Sequence, residues 1–369
     1  MHLRGHLLTP DGFVRGTLSV QHGLIRSVQG DPVDEAEVRA DAETPMWLPG
    51  FIDLHLHGGS GADIMDAGQA VDTVARLHAR HGTTSLLATT MTAPWADIEA
   101  ALRALAPVVV QRTAGCARVL GVHLEGPYLH PDRLGAQPAY ARLPQLAEIH
   151  ALQALAPIRV ITLAPDVAGA LALIPALVQS GLRVQIGHSA ATYEQACSAL
   201  QHGASGFTHL FNAMGAFHHR SPGVLGAALA HAEQAELIPD LLHVQAGAIL
   251  AARRAIPYLY AVTDATAATG MPDGTYQLGR QTVLKREGGV CLADGTLAGS
   301  TLTMDQALRN LVALGLPLAE AAARTSSHAA RYLGLEDRGQ LRPGARADLV
   351  RLHPATLAVQ QVVVEGEWL

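Results

Sequence analysis

The chain has 369 residues, a net charge of −6 and no basic run, which argues against nucleic acid as its main partner. Apolar residues make up 49% and charged residues 16%, so a large buried core is possible. No apolar stretch reaches membrane-spanning length and no signal peptide is evident, so we expect no membrane partner. Cys116, Cys197 and Cys291 lack metal-type spacing, and we expect reduced thiols in a cytoplasmic protein.

Short alternating segments broken by turn sequences occupy residues 1–48, and the tail 335–369 has the same character. Neither end alone has enough strands to bury a core. We therefore expect both termini to pack together as one small β-sandwich domain beside a barrel formed by residues 49–334.

Eight short apolar runs alternate with helix-like segments in the middle of the chain. They cover 51–57, 83–90, 118–126, 158–166, 183–189, 206–213, 236–247 and 258–265. This alternation is typical of parallel strands covered on both faces, and eight units favour an α/β fold of the (β/α)8 TIM-barrel type. An open doubly wound sheet is the competing architecture, but no GxGxxG follows the first run.

The first run ends in two histidines, within "PGFIDLHLHGG". In a strand, His55 and His57 point to the same face, roughly 7 Å apart, where they can bind one metal ion. The alternative is a solvated loop pair in a chain that carries 19 histidines.

Other predicted strands also carry metal-binding or proton-carrying side chains near their ends. These are Glu125, His188, His209, His243 and Asp264. A single buried histidine is more often a core residue, but the carboxyl ends of barrel strands meet at one rim, where active sites lie. The clustering therefore predicts a metal site, with zinc as the first choice and iron or manganese as alternatives.

A metal ion bound there lowers the pKa of its water to about 7 and so provides hydroxide at neutral pH. Asp264 ends an apolar strand and is the candidate general base and acid. A helix N-cap or a further metal ligand is the alternative role for this carboxylate.

Several segments closely resemble the N-acetylglucosamine-6-phosphate deacetylases of the amidohydrolase superfamily, over essentially the whole chain. They include "GVHLEGPYL", "IGHSAATYEQACSALQHGASGFTHLFNAM" and "VTDATAATGMPDG". The resemblance implies metal-dependent hydrolysis of the acetamide of N-acetylglucosamine 6-phosphate, yielding glucosamine 6-phosphate and acetate, in a homodimer of amino sugar metabolism.

The resemblance also implies roles for individual residues. Glu125, His188 and His209 match the main metal ligands, and Asp264 matches the general acid and base. Because His55 and His57 are retained, it implies a second ion bridged by Glu125, hence one or two ions per chain. Arg220 and His243 match residues that bind the sugar phosphate, partly across a dimer interface. Further substrate contacts match Ala136, Gln137, Asn212, Ala213, Leu297, Ala298 and Gly299.

Two departures from the family pattern concern the substrate. Gln137 stands where relatives have a histidine that polarises the substrate carbonyl; a glutamine can donate a hydrogen bond but cannot become cationic. Before His243 the chain reads "IPDLL", where the family usually has a segment that contains glycine. Lys285 is the single lysine and lies beyond the eighth run, so a carboxylated lysine after the fourth strand, as in other superfamily branches, is ruled out.

Two rival functions stay open at this point. One is a related amidohydrolase that acts on N-acetylgalactosamine 6-phosphate or another N-acyl substrate. The other is a metal-free barrel that binds sugar phosphates without catalysis, against which the retained Asp264 argues.

Overall fold

In the computed structural model, which describes all 369 residues, the N-terminal segment forms four strands and a short helix. The elements are β1 (His2–Thr9), β2 (Gly12–Gln21), β3 (Leu24–Pro32), α1 (Glu35–Ala40) and β4 (Met46–Pro49). The β2–β3 turn holds Gly23 at φ 73°, a left-handed conformation that glycine adopts without strain. β4 leads directly into the barrel.

The first six barrel strands form one parallel sheet in the order β12-β11-β10-β9-β8-β5. Its helices cover the outside, and two small strands, β6 and β7, follow β5. The elements are β5 (Phe51–Leu56), β6 (Gly58–Gly59), β7 (Ala62–Asp63), α2 (Ala70–Arg80), β8 (Thr83–Thr90), α3 (Trp95–Val110), β9 (Arg118–Glu125), α4 (Leu146–Leu155), β10 (Ile158–Leu163), α5 (Ala170–Gln179), β11 (Arg183–Ile186), α6 (Tyr193–Gln201) and β12 (Gly206–Phe207).

Strands seven and eight are short and close the barrel. The elements are α7 (Gly223–His231), β13 (Glu236–Leu237), α8 (Ala246–Ala255) and β14 (Tyr260–Ala261). The Leu210 amide donates to the Glu236 carbonyl at 2.9 Å, which joins strands six and seven. At the other seam the Asp264 amide donates to the His55 carbonyl at 2.9 Å. These bonds complete the (β/α)8 barrel that the alternating pattern predicts.

The last three barrel strands are shorter than the runs that predicted them. His209 and Phe211 have φ values of 27° and 81°, and Asp264 has 51°, so the backbone leaves the extended conformation early. Pro239 follows β13 closely and lacks the N–H that a sheet needs. The apolar pattern alone carried no sign of these bends.

An antiparallel meander that the sequence pattern did not predict follows strand eight. It consists of β15 (Gly274–Leu278), β16 (Gln281–Arg286) and β17 (Gly289–Cys291), and α9 (Met304–Ala313), α10 (Leu318–Thr325) and α11 (Ser327–Leu333) follow. The Lys285 ammonium on β16 donates to the carbonyls of Ala268 and Met271. The meander is thereby fixed to the loop that leaves strand eight.

The C-terminal strands join the N-terminal ones in a single seven-stranded sheet. They are β18 (Leu349–Leu352), β19 (Val359–Val364) and β20 (Glu367–Trp368), and the strand order is β20-β19-β18-β4-β1-β2-β3. The sheet folds over its own small apolar core, which includes Leu7, Leu18 and Trp47. The boundaries 1–48, 49–334 and 335–369 stay a prediction.

The main hydrophobic core contains 81 buried residues and fills the space between the barrel strands and their helices. None of the helices combines the length and apolar character needed to span a bilayer.

Candidate active site

A cavity of about 230 Å³ opens at the carboxyl ends of the barrel strands. Its wall contains most of the residues that the sequence predicted for the site, together with four that it did not. The lining residues are His57, Met91, Glu125, Gly135, Ala136, Gln137, His188, His209, Asn212, Ala213, His243, Asp264, Leu278, Thr296, Leu297 and Gly299.

Glu125, His188 and His209 form a tight cluster, here called the first ligand group. The Nε2 atoms of His188 and His209 lie 3.0 and 3.1 Å from Glu125 Oε1. The two Nε2 atoms are 3.0 Å from each other. Strands three, five and six supply the three side chains, so residues from distant parts of the chain meet at one point.

His55, His57 and Glu125 form a second ligand group on the other side of the same carboxylate. The Nε2 atoms of His55 and His57 are 3.3 Å apart, and they lie 3.6 and 3.3 Å from Glu125 Oε2. Asp264 Oδ1 lies 3.5 and 3.3 Å from the same two nitrogens. Glu125 thus turns Oε1 toward His188 and His209 and Oε2 toward His55 and His57.

Hydrogen bonds behind the imidazoles turn their Nε2 atoms toward the centre of the site. The Nδ1 atom of His188 lies 2.9 Å from the Arg133 carbonyl, and that of His57 lies 3.2 Å from the Thr89 carbonyl. The Nδ1 atom of His55 lies 2.9 Å from the Glu236 carboxylate. Because carbonyls and carboxylates only accept, each of these Nδ1 atoms donates, which leaves Nε2 as the atom that can ligate.

Both groups fit a divalent cation. Two imidazole nitrogens that face each other at 3.0 Å repel unless a positive charge lies between them or a proton is shared. Nitrogen ligands about 2.0–2.1 Å from a tetrahedral zinc ion lie roughly 3.3 Å apart, close to the separations in both groups. The donors are imidazole and carboxylate, which suit zinc, iron or manganese.

The carboxylates of the site are held ionised. Burial would raise the pKa of Asp264, but the charges of His55 and His57 lower it to about 2. Burial would lower the pKa of His57, but hydrogen bonds from its Nε2 to Asp264 and Glu125 raise it to about 9. The pKa of Glu125 is held well below its usual range, against burial, mainly by His55 and by hydrogen bonds from His188 and His209. Protons on imidazoles therefore balance the negative charge, and a bound cation would displace them.

The backbones of two predicted metal ligands and of the predicted acid–base residue lie in the left-handed region. The φ values are 48° for His188, 27° for His209 and 51° for Asp264. Residues other than glycine rarely adopt this conformation, and it is concentrated at functional sites where the surrounding fold enforces it. The strain places each side chain over the cavity just past the end of its strand.

Gln137 is buried and uses both ends of its amide within the protein. Its Nε2 donates to Glu125 Oε2 at 2.6 Å, and its Oε1 accepts from the Thr92 amide at 2.7 Å. Gln137 thus fixes the orientation of the shared carboxylate. Its role as a substrate contact, taken from the resemblance, stays a prediction.

His243 lines the cavity beside a carboxylate that the sequence reasoning did not single out. Asp240 Oδ2 lies 2.7 Å from His243 Nδ1, and Asp240 Oδ1 accepts from the His243 amide at 2.8 Å. Burial would lower the pKa of His243, but the hydrogen bond to Asp240 raises it. The raised pKa favours the imidazolium form of His243, which suits an anionic group in the cavity.

The structure brings most of the predicted substrate contacts to the cavity, but not two of them. Ala136, Asn212, Ala213, Leu297 and Gly299 line the wall. Ala298 is fully buried in a small apolar cluster behind it. Arg220 is exposed outside the cavity wall, where its guanidinium lies 2.9 Å from His219 Nε2. A phosphate contact by Arg220 across a dimer interface stays a prediction.

Four further residues line the cavity wall and were not predicted from the sequence: Met91, Gly135, Leu278 and Thr296. Leu278 and Thr296 come from the unpredicted meander and the segment after it. Glu236, which supports His55, was missed because it stands at the start of a strand run. An acidic residue opening a predicted barrel strand was the one available signal.

Comparison with known proteins agrees with this geometry. The model of the amidohydrolase family matches residues 46–369. The chain is 42% identical to an N-acetylgalactosamine-6-phosphate deacetylase of Escherichia coli O157:H7, over 98% of this chain and 97% of that protein. It is 44% identical to an N-acetylglucosamine-6-phosphate deacetylase of Lysinibacillus sphaericus, over 82% of this chain and 80% of that protein.

A solved relative has the same fold over its full length. It is a variant of the N-acetyl-D-glucosamine-6-phosphate deacetylase of Mycobacterium smegmatis, in complex with N-acetyl-D-glucosamine 6-phosphate. The TM-score is 0.91 at 35% identity, and the match covers 100% of this chain and 98% of that one. The chain belongs to the amidohydrolase family.

Proposed function

We propose that the protein hydrolyses the acetamide of N-acetylglucosamine 6-phosphate to glucosamine 6-phosphate and acetate. The observation that carries this proposal is the convergence of Glu125, His188 and His209 within 3.0–3.1 Å of one another, beside the ionised Asp264. The similarity to deacetylases of N-acetyl amino sugar phosphates supports the substrate class.

The residues of the site have two roles in this proposal, metal binding and proton transfer. Glu125, His188 and His209 would hold a catalytic cation, with zinc as the first choice, and His55, His57 and Glu125 would hold a second. When bound, such an ion supplies Lewis-acid polarisation of the acetyl carbonyl and a lower pKa for the attacking water. Asp264 is ionised and accepts the proton of that water, then delivers it to the departing amine.

Three side chains are proposed to recognise the sugar phosphate: His243, Asn212 and Arg220. The raised pKa of His243 favours its imidazolium, which attracts the phosphate. Asn212 donates from its amide nitrogen to the carbonyls of His209 and Leu210, so its amide oxygen remains available to a sugar hydroxyl. Arg220 lies outside the cavity wall of its own chain. We therefore include in the proposal a homodimer in which Arg220 contacts the phosphate bound by the partner subunit.

Acetate release from purified, metal-loaded protein tests the reaction. We expect turnover of N-acetylglucosamine 6-phosphate and at least a hundredfold lower kcat/KM for unphosphorylated N-acetylglucosamine. Equal rates on both sugars contradict the phosphate contact, and no acetate from either sugar contradicts the deacetylase assignment. Sedimentation of the same sample measures the oligomeric state.

N-acetylgalactosamine 6-phosphate is the second candidate substrate. A relative that matches 98% of this chain carries that specificity in its name. The two sugars differ only in the orientation of the C4 hydroxyl, so their kcat/KM values measured side by side decide between them. A higher value for the galactose isomer assigns the protein to the second activity.

We also propose a reducing, cytoplasmic location. Cys116, Cys197 and Cys291 are all unpaired, which is typical of proteins kept in a reducing compartment. Fractionation of the source cells, with the protein followed by antibody, tests the location.

A further inference from the structure

A fully buried carboxylate lies behind the second ligand group, where the reaction itself makes no use of it. Glu236 stands at the start of strand seven, has no exposed surface and contacts no lysine or arginine. Its Oε2 accepts from His55 Nδ1 at 2.9 Å and from the His209 amide at 3.1 Å. Its Oε1 accepts from Gln185 Nε2 at 3.0 Å.

Glu236, His55 and His123 are also close enough together to be considered as a metal site of their own. The hydrogen bonds of His123 argue against that role. Its Nδ1 lies 3.0 Å from the Leu54 carbonyl and its Nε2 lies 2.7 Å from Thr162 Oγ1, so both nitrogens have partners. Glu236 is therefore better described as a partner of His55 than as a ligand.

The support behind His55 differs from the support behind the other imidazoles. His57 and His188 each donate to a neutral main-chain carbonyl. His55 donates to a carboxylate, which fixes the tautomer and makes the opposite nitrogen a stronger electron donor. Among the four histidines of the two ligand groups, His55 alone has an anionic partner behind its ring.

The position of Glu236 also adds negative charge close to the second ligand group. Glu125 and Asp264 already face that group, and in a low-dielectric interior a third carboxylate further favours a divalent cation. Glu236 contacts the first ligand group only through the main chain, where it accepts a hydrogen bond from the His209 amide. The effect of Glu236 should therefore fall mainly on one of the two sites.

We propose that Glu236 is a positioning residue that sets the affinity of the second ligand group for its cation, a role that rests on the metal sites of the proposed function. It holds His55 with Nε2 toward His57, Glu125 and Asp264. The occupancy of the second site then depends on a side chain that touches neither ion nor substrate.

The test is a zinc titration of metal-free protein against a chelating dye, which counts binding events and measures each affinity. Wild type should show two events. Glu236→Gln keeps an oxygen that can accept from the His209 amide but removes the charge beside His55. We expect the binding event that His55→Gln abolishes to lose 10- to 100-fold in affinity, while the other event changes less than about threefold.

Thr162→Val is the matched control. It removes a buried hydroxyl that bonds to His123 and Thr208 in the same network without touching His55. We expect both of its binding events to match wild type. If both events weaken equally in Glu236→Gln, or neither changes, or wild type takes up only one ion, the inference is wrong.

A second comparison keeps the inference testable if Glu236→Gln is poorly folded. Glu236→Asp keeps the charge and should retain most of the second-site affinity. In a His55→Gln background, adding Glu236→Gln should leave the remaining binding event unchanged; a further loss there would overturn the inference. Loss of both events in wild type contradicts the proposed function itself, so the two failures are distinguishable.

Discussion

Asp264 combines a strained backbone with a carboxylate that the chemistry requires. Asparagine has the same shape and tolerates the left-handed region well, so Asp264→Asn should fold normally. Without a proton acceptor, we expect kcat to fall about 10²–10⁴-fold. Acetate release at saturating substrate measures the effect.

Metal content measured on the same Asp264→Asn sample is the control. The first ligand group does not include Asp264, so at least one ion per chain should remain. A variant that keeps its metal and also keeps wild-type turnover would remove Asp264 from the mechanism.

Gln137 contributes to stability as well as to the site, because its amide satisfies two buried partners. Gln137→Leu leaves the Thr92 amide without an acceptor and Glu125 without one donor. We expect a loss of about 1–3 kcal/mol in the free energy of unfolding, measured by urea denaturation. The exposed Gln145 is the matched control, and Gln145→Leu should change stability by less than about 0.5 kcal/mol. Equal stability of the two variants would contradict this account.

The loop between strand seven and α8 contains a leucine in a left-handed backbone conformation. Leu241 has a φ of 67°, a conformation that costs a residue other than glycine about 1–2 kcal/mol. Leu241→Gly relieves this strain. The glycine also raises the conformational entropy of the unfolded chain, which lowers the free energy of unfolding by about 0.4–1 kcal/mol. We expect a net gain of about 0.5–1 kcal/mol in urea denaturation.

Leu242 is the matched control for that loop. It is also exposed, and its backbone has no left-handed conformation, so Leu242→Gly should only destabilise the protein. If both variants lose stability equally, the left-handed strain at Leu241 has no measurable cost.

The elements differ in how far the sequence could predict them. The run 83–90 coincides with β8, and 51–57 exceeds β5 by one residue, because both strands are buried along their whole length. The bends after β12 and β14 are imposed by tertiary contacts at the rim, which an apolar pattern does not encode. The meander 274–291 is mostly exposed or half-buried, and its few buried residues, Leu278, Val283 and Val290, pack in the small apolar cluster beside the cavity.

At the scale of the whole molecule, an ion cluster fastens the terminal sheet to the barrel. Glu365 follows β19 and accepts from Arg118 on β9 at 3.0 Å and from Arg338 at 2.9 Å. Burial would raise the pKa of Glu365, but hydrogen bonds from these arginines lower it to about 2. The carboxylate is thus ionised well below the pH at which the unfolded chain takes up its proton.

The stabilisation by Glu365 should depend on pH. Because its pKa is lower in the folded state, the stabilisation is present above about pH 4.5 and is lost as the pH falls toward 2. Glu365→Gln should cost about 1–3 kcal/mol at pH 7 and show a shallower loss of stability with acid. Glu367→Gln, whose side chain is 66% exposed, is the control and should leave the pH profile unchanged. Parallel profiles for wild type and Glu365→Gln would contradict the linkage.

The part of the site that could be predicted from the sequence consists of side chains at the carboxyl ends of the barrel strands. His57, Glu125, His188, His209 and Asp264 meet at the cavity because a barrel brings the carboxyl ends of its strands to one rim. The partner behind His55 could not be paired with it from the sequence, since 181 positions separate His55 from Glu236 and only the folded chain brings them together.

The seam between strands one and eight has a consequence for how the protein matures on the ribosome. Glu125, His188 and His209 have all left the ribosome about fifty residues before Asp264. Asp264 joins these side chains only when residues 264 and 265 dock against His55 and His57, so the complete site forms only after all eight barrel strands have been synthesised.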